Sequence, residues 1–273
     1  MQKVVFFDLD GTLWDSRHPL LQTAWDRLPQ AWTTIGGEIP NGFNWSQLAG
    51  STEYAVVKQL VELQFPSSSQ AENKQRIQEV ITEMDSYYLA HAPTDISPAL
   101  YKDTQKGLQR LRDQGWTLGV ITGNSKLVAE HKLKAAGLFE LFTTDQNLLF
   151  FGENYRSRAE MMKEAWVQSM LFGRERPKVP PLLYVADTLR DLTEGSEAWW
   201  RQSRNYLRLE YRILLRLQPA VYPYIREINN FNNGYKDITA QLFETIGDDH
   251  FTQTVRRESR FDWVSARELE SGW

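Results

Sequence analysis

Val4-Val5-Phe6-Phe7-Asp8-Leu9-Asp10-Gly11-Thr12-Leu13 decides the fold of this chain. Two β-branched residues and two aromatics in a row read as a short buried strand. The strand runs out into two aspartates two positions apart, and Gly11 and Thr12 turn the chain. Open α/β sheets bind ligands outside the carboxyl ends of their strands, so polar residues at such an end are candidate site residues.

The pattern repeats downstream. Residues 104–114 carry helical spacing with Gly115 beyond them, and residues 116–121 form a second apolar strand that leads into Thr122. Ser125 is placed to cap a helix that Gly137 stops. Residues 148–151 predict a third strand, 159–171 a helix, and 182–186, after Pro180-Pro181, a fourth strand that ends at Asp187. Strand and helix in alternation imply a parallel sheet with helices on both faces, an α/β Rossmann-like fold.

Two stretches depart from that rhythm. Residues 15–97 show apolar residues at helical spacing, broken at Gly36-Gly37, Pro40, Gly42 and Pro66. The expected organisation is therefore a core of residues 1–14 plus 98–198, with residues 15–97 as a helical cap. Residues 199–273 are expected to form a mostly helical extension. Within it, residues 197–217 read as one helix with Arg204, Arg208, Arg212 and Arg216 every four positions. As a solvated face this stripe does nothing beyond keeping the helix soluble, with Leu207, Tyr211, Leu214 and Leu215 packing inward. The sharper expectation for the stripe is a docking surface for an acidic protein or nucleic acid, and for residues 199–273 as a block a protein partner or self-association.

Composition sets outer limits. The chain has 273 residues, 41% of them apolar and 12% aromatic, ample for a packed core. The net charge of −4 supplies no reason to expect nucleic acid or membrane as partner. There is no cysteine, which excludes disulfides and thiolate metal sites. No apolar run approaches the roughly 18 residues of a membrane span. The first strand begins so near the start that a cleaved leader is not expected, and a cytoplasmic location follows as the expectation.

The chemistry gathers at three strand ends: Asp8 and Asp10, then Thr122-Gly123-Asn124, then Asp187 with Asp191. Four carboxylates brought together repel unless a cation sits among them. Oxygen ligands without His or Cys select a hard ion, and Mg²⁺ fits best. The histidines, His18, His91, His131 and His250, show no ligand spacing.

Phe7-Asp8-Leu9-Asp10-Gly11-Thr12-Leu13 resembles the first motif of the haloacid dehalogenase superfamily. Thr122-Gly123-Asn124 resembles its second motif, and Asp187-Thr188-Leu189-Arg190-Asp191 its fourth, in the family order. The stretches through Lys132-Leu133, Ala136-Gly137-Leu138 and Phe142, and Phe151-Gly152-Glu153 with Arg158-Ala159-Glu160, are similar to phosphoglycolate-phosphatase-like members. The similarity covers roughly residues 3–198.

The resemblance implies roles. Asp8 would be the nucleophile on phosphorus, and Asp10 the acid that protonates the leaving oxygen and later the base that activates water. Thr122, Gly123 and Asn124 would bind substrate phosphate, and Arg158 would balance charge. Asp8, Asp10, Asp187 and Asp191 would form the Mg²⁺ site. Dehalogenases proper lack the acid at position 10, so its presence implies a phosphatase acting on a small phosphate ester such as phosphoglycolate. A haloacid dehalogenase fold kept as a scaffold or interaction subunit is the alternative, and a phosphomutase a third.

Three departures from the family pattern stand out. Arg158 falls where relatives have lysine, with Lys163 and Arg156 as rivals for that role. Ala186 replaces the glycine usual before Asp187. The last strand of the family fold is not legible after residue 198. Trp14, His18, Trp45, Gly50 and Ser51 are candidates to line the entrance.

Overall fold

The computed structural model describes residues 3–35, 37–43, 50–102, 104–142, 148–172, 182–188, 190, 191, 194, 198 and 211–215. Five strands, β1 (Lys3–Phe7), β2 (Trp116–Thr122), β3 (Leu149–Phe151), β4 (Leu182–Ala186) and β5 (Tyr211–Leu215), form one sheet in the order β3-β2-β1-β4-β5. All four pairings are parallel. The fold is the expected Rossmann-like α/β architecture.

The alternation of side chains along a strand explains why both faces are dry. Val5 and Phe7 of β1 join Leu118, Val120 and Val185 in one apolar cluster. That cluster is covered by α4 (Thr104–Asp113) and α5 (Lys126–Ala135) through Leu108, Leu111, Ala129 and Leu133. Val4 and Phe6 point the other way, with Ile121, Tyr184 and Ala186. There α7 (Arg158–Phe172) packs Met161, Met162, Ala165 and Trp166 onto the sheet. The methyl of Ala186 is fully buried in this second cluster, so the residue usual as glycine adds apolar contact to the core.

Three helices lie between β1 and α4: α1 (Gln22–Ile35), α2 (Glu53–Gln64) and α3 (Gln70–His91). They share a third cluster built on Leu28, Trp32, Val57, Leu60, Val80, Ile81 and Met84. Each start is chemically marked. Thr52 accepts from the Ala55 N–H to cap α2, and Ser69 with Glu72 forms a capping box on α3. Ser125 caps α5 through the Val128 N–H. A four-residue helix, α6 (Phe139–Phe142), follows α5.

One expectation is overturned. Residues 211–215 lie inside the stretch read as a single arginine-striped helix, yet they form a strand paired with β4 from Leu182↔Tyr211 to Ala186↔Leu215. An edge strand presents unsatisfied N–H and C=O groups, and pairing with Tyr-Arg-Ile-Leu-Leu satisfies them. That demand outweighs the local helical pattern, and it supplies the last strand that the sequence reading could not find. Arg212 is in this strand, while Arg204, Arg208 and Arg216 fall outside the described residues, as does the rest of 199–273.

The ends of β2 and β3 approach so closely that glycine is required. The Gly152 N–H donates to the Asn124 carbonyl at 2.8 Å. A Cβ on Gly152 would collide with the Gly123 carbonyl, and a Cβ on Gly123 with the Ser51 carbonyl. Backbone cannot yield as a side-chain tip can, so Gly152→Ala is expected to destabilise the protein by about 1–3 kcal/mol. A lowered urea midpoint with an unchanged slope is the measurement that checks it.

Candidate active site

The site is assembled where β1, β2 and β4 end. Asp8 leaves β1, and its N–H donates to the Val185 carbonyl of β4 at 2.9 Å, which ties two strand ends together. Asp187 leaves β4 and Asp191 lies one turn further on. Carboxylate oxygens of Asp8, Asp187 and Asp191 lie within 4.8 Å of one another.

Crowding shows in their proton affinities. Burial pushes Asp187 up to about 9, and the charges of Asp8, Asp191 and Asp10 add to it. Burial raises Asp8 to about 7, although the Arg158 guanidinium works against the shift. A cation among these oxygens would relieve that penalty, and a hard, all-oxygen set of this kind suits Mg²⁺.

Asp191 is committed elsewhere as well. It is fully buried, and its Oδ1 pairs with Arg158 Nε at 2.8 Å and accepts from the Tyr184 hydroxyl at 2.8 Å. Its Oδ2 accepts from the Thr188 hydroxyl. These contacts orient Arg158, whose Nη2 lies 3.6 Å from Asp8 Oδ1. The same guanidinium donates to the carbonyls of Gly50 and Ile121. The geometry thus brings Arg158 to Asp8 from the first residue of α7, while Lys163 and Arg156 are exposed.

Asp10 sits in a cage of donors. Lys132 Nζ reaches both its oxygens at 2.8 Å, Asn124 Nδ2 donates to Oδ2 at 2.7 Å, and Trp14 Nε1 to Oδ1 at 2.8 Å. Burial alone would raise its pKa, but the charge and hydrogen bond of Lys132, with Asn124 and Trp14, bring it below the ordinary carboxylate value. Asn124 is shared further: Nδ2 also donates to Thr122 Oγ1, and Oδ1 accepts from Lys132 at 3.1 Å and from Arg27 at 3.4 Å. The Asn124 side chain is therefore held by protein partners on both its nitrogen and its oxygen.

Arg27 comes from α1. It forms an ion pair with Glu53 at the start of α2, and its Nη1 lies 3.7 Å from Asp85 of α3. Burial raises the Glu53 carboxyl to about 7 despite Arg27. Glu53 also donates its N–H to the Gly123 carbonyl, and Ser125 donates its hydroxyl to Asp85 at 2.6 Å. The helical layer is pinned to the second motif at several points.

A cavity of about 210 Å³ opens over these residues. Asp8, Asp10, Thr122, Gly123, Asn124, Arg158 and Asp187 all line it, as do Gly50 and Ser51 from the set of entrance candidates. Trp14 is fully buried against Asp10, not at the entrance. His18 Nδ1 accepts from the Leu20 N–H and caps a short turn. Trp45 lies outside the described residues.

Lys132 stood in a stretch of family resemblance without an assigned role, and Arg27 and Glu53 lay outside the motifs. A signal for two of them was present. Lys132 falls on the buried stripe of α5 with Val128, Ala129 and Leu133, and Arg27 on that of α1 with Leu28 and Ala31. A cation at an apolar-stripe position is a buried cation and calls for a partner.

A family model described as haloacid dehalogenase-like hydrolase matches residues 2–198. The chain belongs to this family of hydrolases. Among solved structures, β-phosphoglucomutase from Clostridium difficile is similar with a TM-score of 0.56 and 14% identity, over 90% of this chain and 99% of that one. CbbY from Rhodobacter sphaeroides, solved with phosphate, is similar with a TM-score of 0.51 and 13% identity, over 78% of this chain and 86% of that one. At such identities the likeness shows the fold. No curated protein matches the chain in sequence. Among the described residues no helix is long and apolar enough to cross a membrane.

Two outcomes are expected. Lys132→Met removes a buried cation from the part-exposed Asp10 carboxylate and should cost about 1–3 kcal/mol in unfolding free energy. Lys126→Met, at an exposed ion pair, should stay within about 0.5 kcal/mol. Denaturant titration of both variants tests the contrast. For Glu53 the folded pKa lies above the free value of 4.5, so its stabilising contribution is full below 4.5 and lost as pH rises through about 7. Glu53→Gln should therefore flatten part of the fall in Tm between about pH 5 and about pH 8.

Proposed function

We propose that this hydrolase is a Mg²⁺-dependent phosphate-monoester hydrolase working through an aspartyl-phosphate on Asp8. The observation that carries the reading is the joint presence of Asp8, Asp10, Thr122 and Arg158 on one small cavity at the strand ends. A nucleophile, an acid/base, a phosphate anchor and a buried cation are the parts that phosphoryl transfer needs. The bound phosphate in the CbbY structure, on a similar fold, accords with it.

Asp8 and Asp187, with the Asp10 carbonyl, would hold the metal, and Asp191 would support it while orienting Arg158. Mg²⁺ there supplies charge neutralisation between carboxylate and phosphate. In the first step an Asp8 oxygen forms a bond to phosphorus as the bond to the leaving oxygen breaks, and a proton from Asp10 goes to that oxygen. In the second, water attacks phosphorus, its proton passes to the Asp10 carboxylate, and the Asp8–phosphorus bond breaks to release phosphate.

Asp10 must change protonation state between the two halves. Lys132 holds it as a carboxylate in the structure. A substrate phosphate beside Lys132 would compete for that cation and let Asp10 carry the proton that the leaving group takes. Arg158 and the Thr122 hydroxyl would fix the phosphate oxygens. The three helices of residues 15–97 act as a cap that keeps bulk water from the aspartyl-phosphate and contacts the leaving group.

Purified protein should release phosphate from small phosphate esters with Mg²⁺ and stop on chelation. Asp8→Asn should lower kcat by about 10⁴-fold or more. A phosphate-release assay on wild type and variant decides the matter, and unaltered turnover in the variant would sink the mechanism. Phosphate moved between positions of a sugar, without free phosphate, would point to a mutase instead.

A further inference from the structure

The second motif implies phosphate binding by Asn124, yet every donor and acceptor of its side chain is already placed. Nδ2 has two protons, and they go to Asp10 Oδ2 at 2.7 Å and Thr122 Oγ1 at 2.9 Å. Oδ1 has two lone pairs, and they accept from Lys132 at 3.1 Å and Arg27 at 3.4 Å. The amide can therefore point only one way. Turned over, it would set its N–H groups against two cations and its oxygen against the Asp10 carboxylate.

The two cations on that oxygen differ in what else they hold. Lys132 Nζ also bonds both oxygens of Asp10 and borders the cavity. A phosphate arriving beside it divides its charge further. Arg27 borders the cavity too, but it is anchored from behind. Its Nη1 faces Glu53 and Asp85, its Nε donates to the Ala24 carbonyl at 3.2 Å, and its Nη2 serves Asn124. A planar guanidinium can serve acids on one side and an amide on the other, whereas a lysine has a single nitrogen for both. Arg27 thus keeps its hold on Asn124 when Lys132 is drawn toward phosphate.

Resting on the phosphatase reading above, we propose that Arg27, on α1, is a positioning residue for Asp10. It fixes the Asn124 amide, and the amide nitrogen keeps the Asp10 carboxyl in one orientation while the leaving group departs.

The test variant is Arg27→Lys, which keeps a cation beside Glu53 and Asp85 and gives up the fork. Arg27→Met combined with Glu53→Gln removes both charges of the ion pair and serves if the first variant does not fold. Phenyl phosphate and 4-nitrophenyl phosphate are similar in shape, but phenol is the poorer leaving group and depends more on a well-placed acid. Measured with Mg²⁺, kcat/KM covers the step in which that group leaves. It should fall by about tenfold or more on phenyl phosphate and by about threefold or less on 4-nitrophenyl phosphate. In an Asn124→Ala background the same change should alter either value by less than about twofold, because the path through the amide is gone. Equal losses on the two esters, or a loss that persists in Asn124→Ala, leave Arg27 a structural role only and overturn the inference. The Asn124 side-chain amide reads the geometry without turnover. Its two proton resonances, assigned through Asn124→Ala, should be resolved in the wild type with inorganic phosphate and Mg²⁺, and should move toward solvent-exposed values in Arg27→Lys. Unchanged resonances overturn the inference and leave the phosphatase reading standing. Absence of wild-type turnover on both esters overturns that reading and, with it, the part of Arg27 in catalysis.

Discussion

Everything at this site depends on negative charge being crowded into one place and then answered. Three carboxylates from two strand ends meet within 4.8 Å because a parallel sheet aligns its carboxyl ends. Left alone they would not all ionise, as the raised pKa values of Asp8 and Asp187 show. Arg158 answers part of that charge from inside the protein, because Tyr184 and Thr188 lock Asp191, the acid that locks the arginine. The remainder is what a divalent cation would answer. The rigidity of the fold beneath, dry on both faces, lets the cluster persist without collapsing or swelling with water.

A second charge system answers Asp10, and it reaches outward instead of inward. Lys132 and Asn124 connect Asp10 to Arg27, and Arg27 connects to Glu53 and Asp85 on two further helices. The helical layer is thus wired to Asp10 through side chains, and to the second motif through the Glu53 N–H and the Ser125 hydroxyl. Any movement of the layer relative to the sheet would alter what surrounds Asp10, and through the Gly50 carbonyl on Arg158 it would reach Asp8 as well.

Much of the fold was legible because it follows from local pattern. Apolar runs of four to seven residues ending in a polar residue marked β1, β2 and β4 closely, and capping residues such as Ser125 marked the start of α5. What escaped was set by tertiary demand. β5 has a sequence that satisfies helical spacing, and only the open edge of β4 makes it a strand. At the site, strand-end residues within the motifs were legible, whereas Lys132 stood in a resembling stretch with no role assigned and Arg27 and Glu53 in no motif. They face one another from three helices, information that spacing along one helix does not hold. Trp14 was among the candidates for the entrance; its indole N–H instead turns inward to Asp10.

The two charge systems sit on different supports. Asp8, Thr122 and Arg158 come from strand ends and α7, where the backbone is fixed by sheet hydrogen bonds and close glycine contacts such as Gly123 against Gly152. The helices α1, α2 and α3 have their own apolar cluster, yet they are tied to the strand ends through Glu53, Asp85 and Arg27. Arg27 lies at the boundary of the two. Its pairing with Glu53 removes a positive charge from the helical layer while its contact with Asn124 preserves the geometry below. A substitution that changes the charge of Arg27 or Glu53 would therefore reach Asp10 through Asn124 and through the field at Lys132.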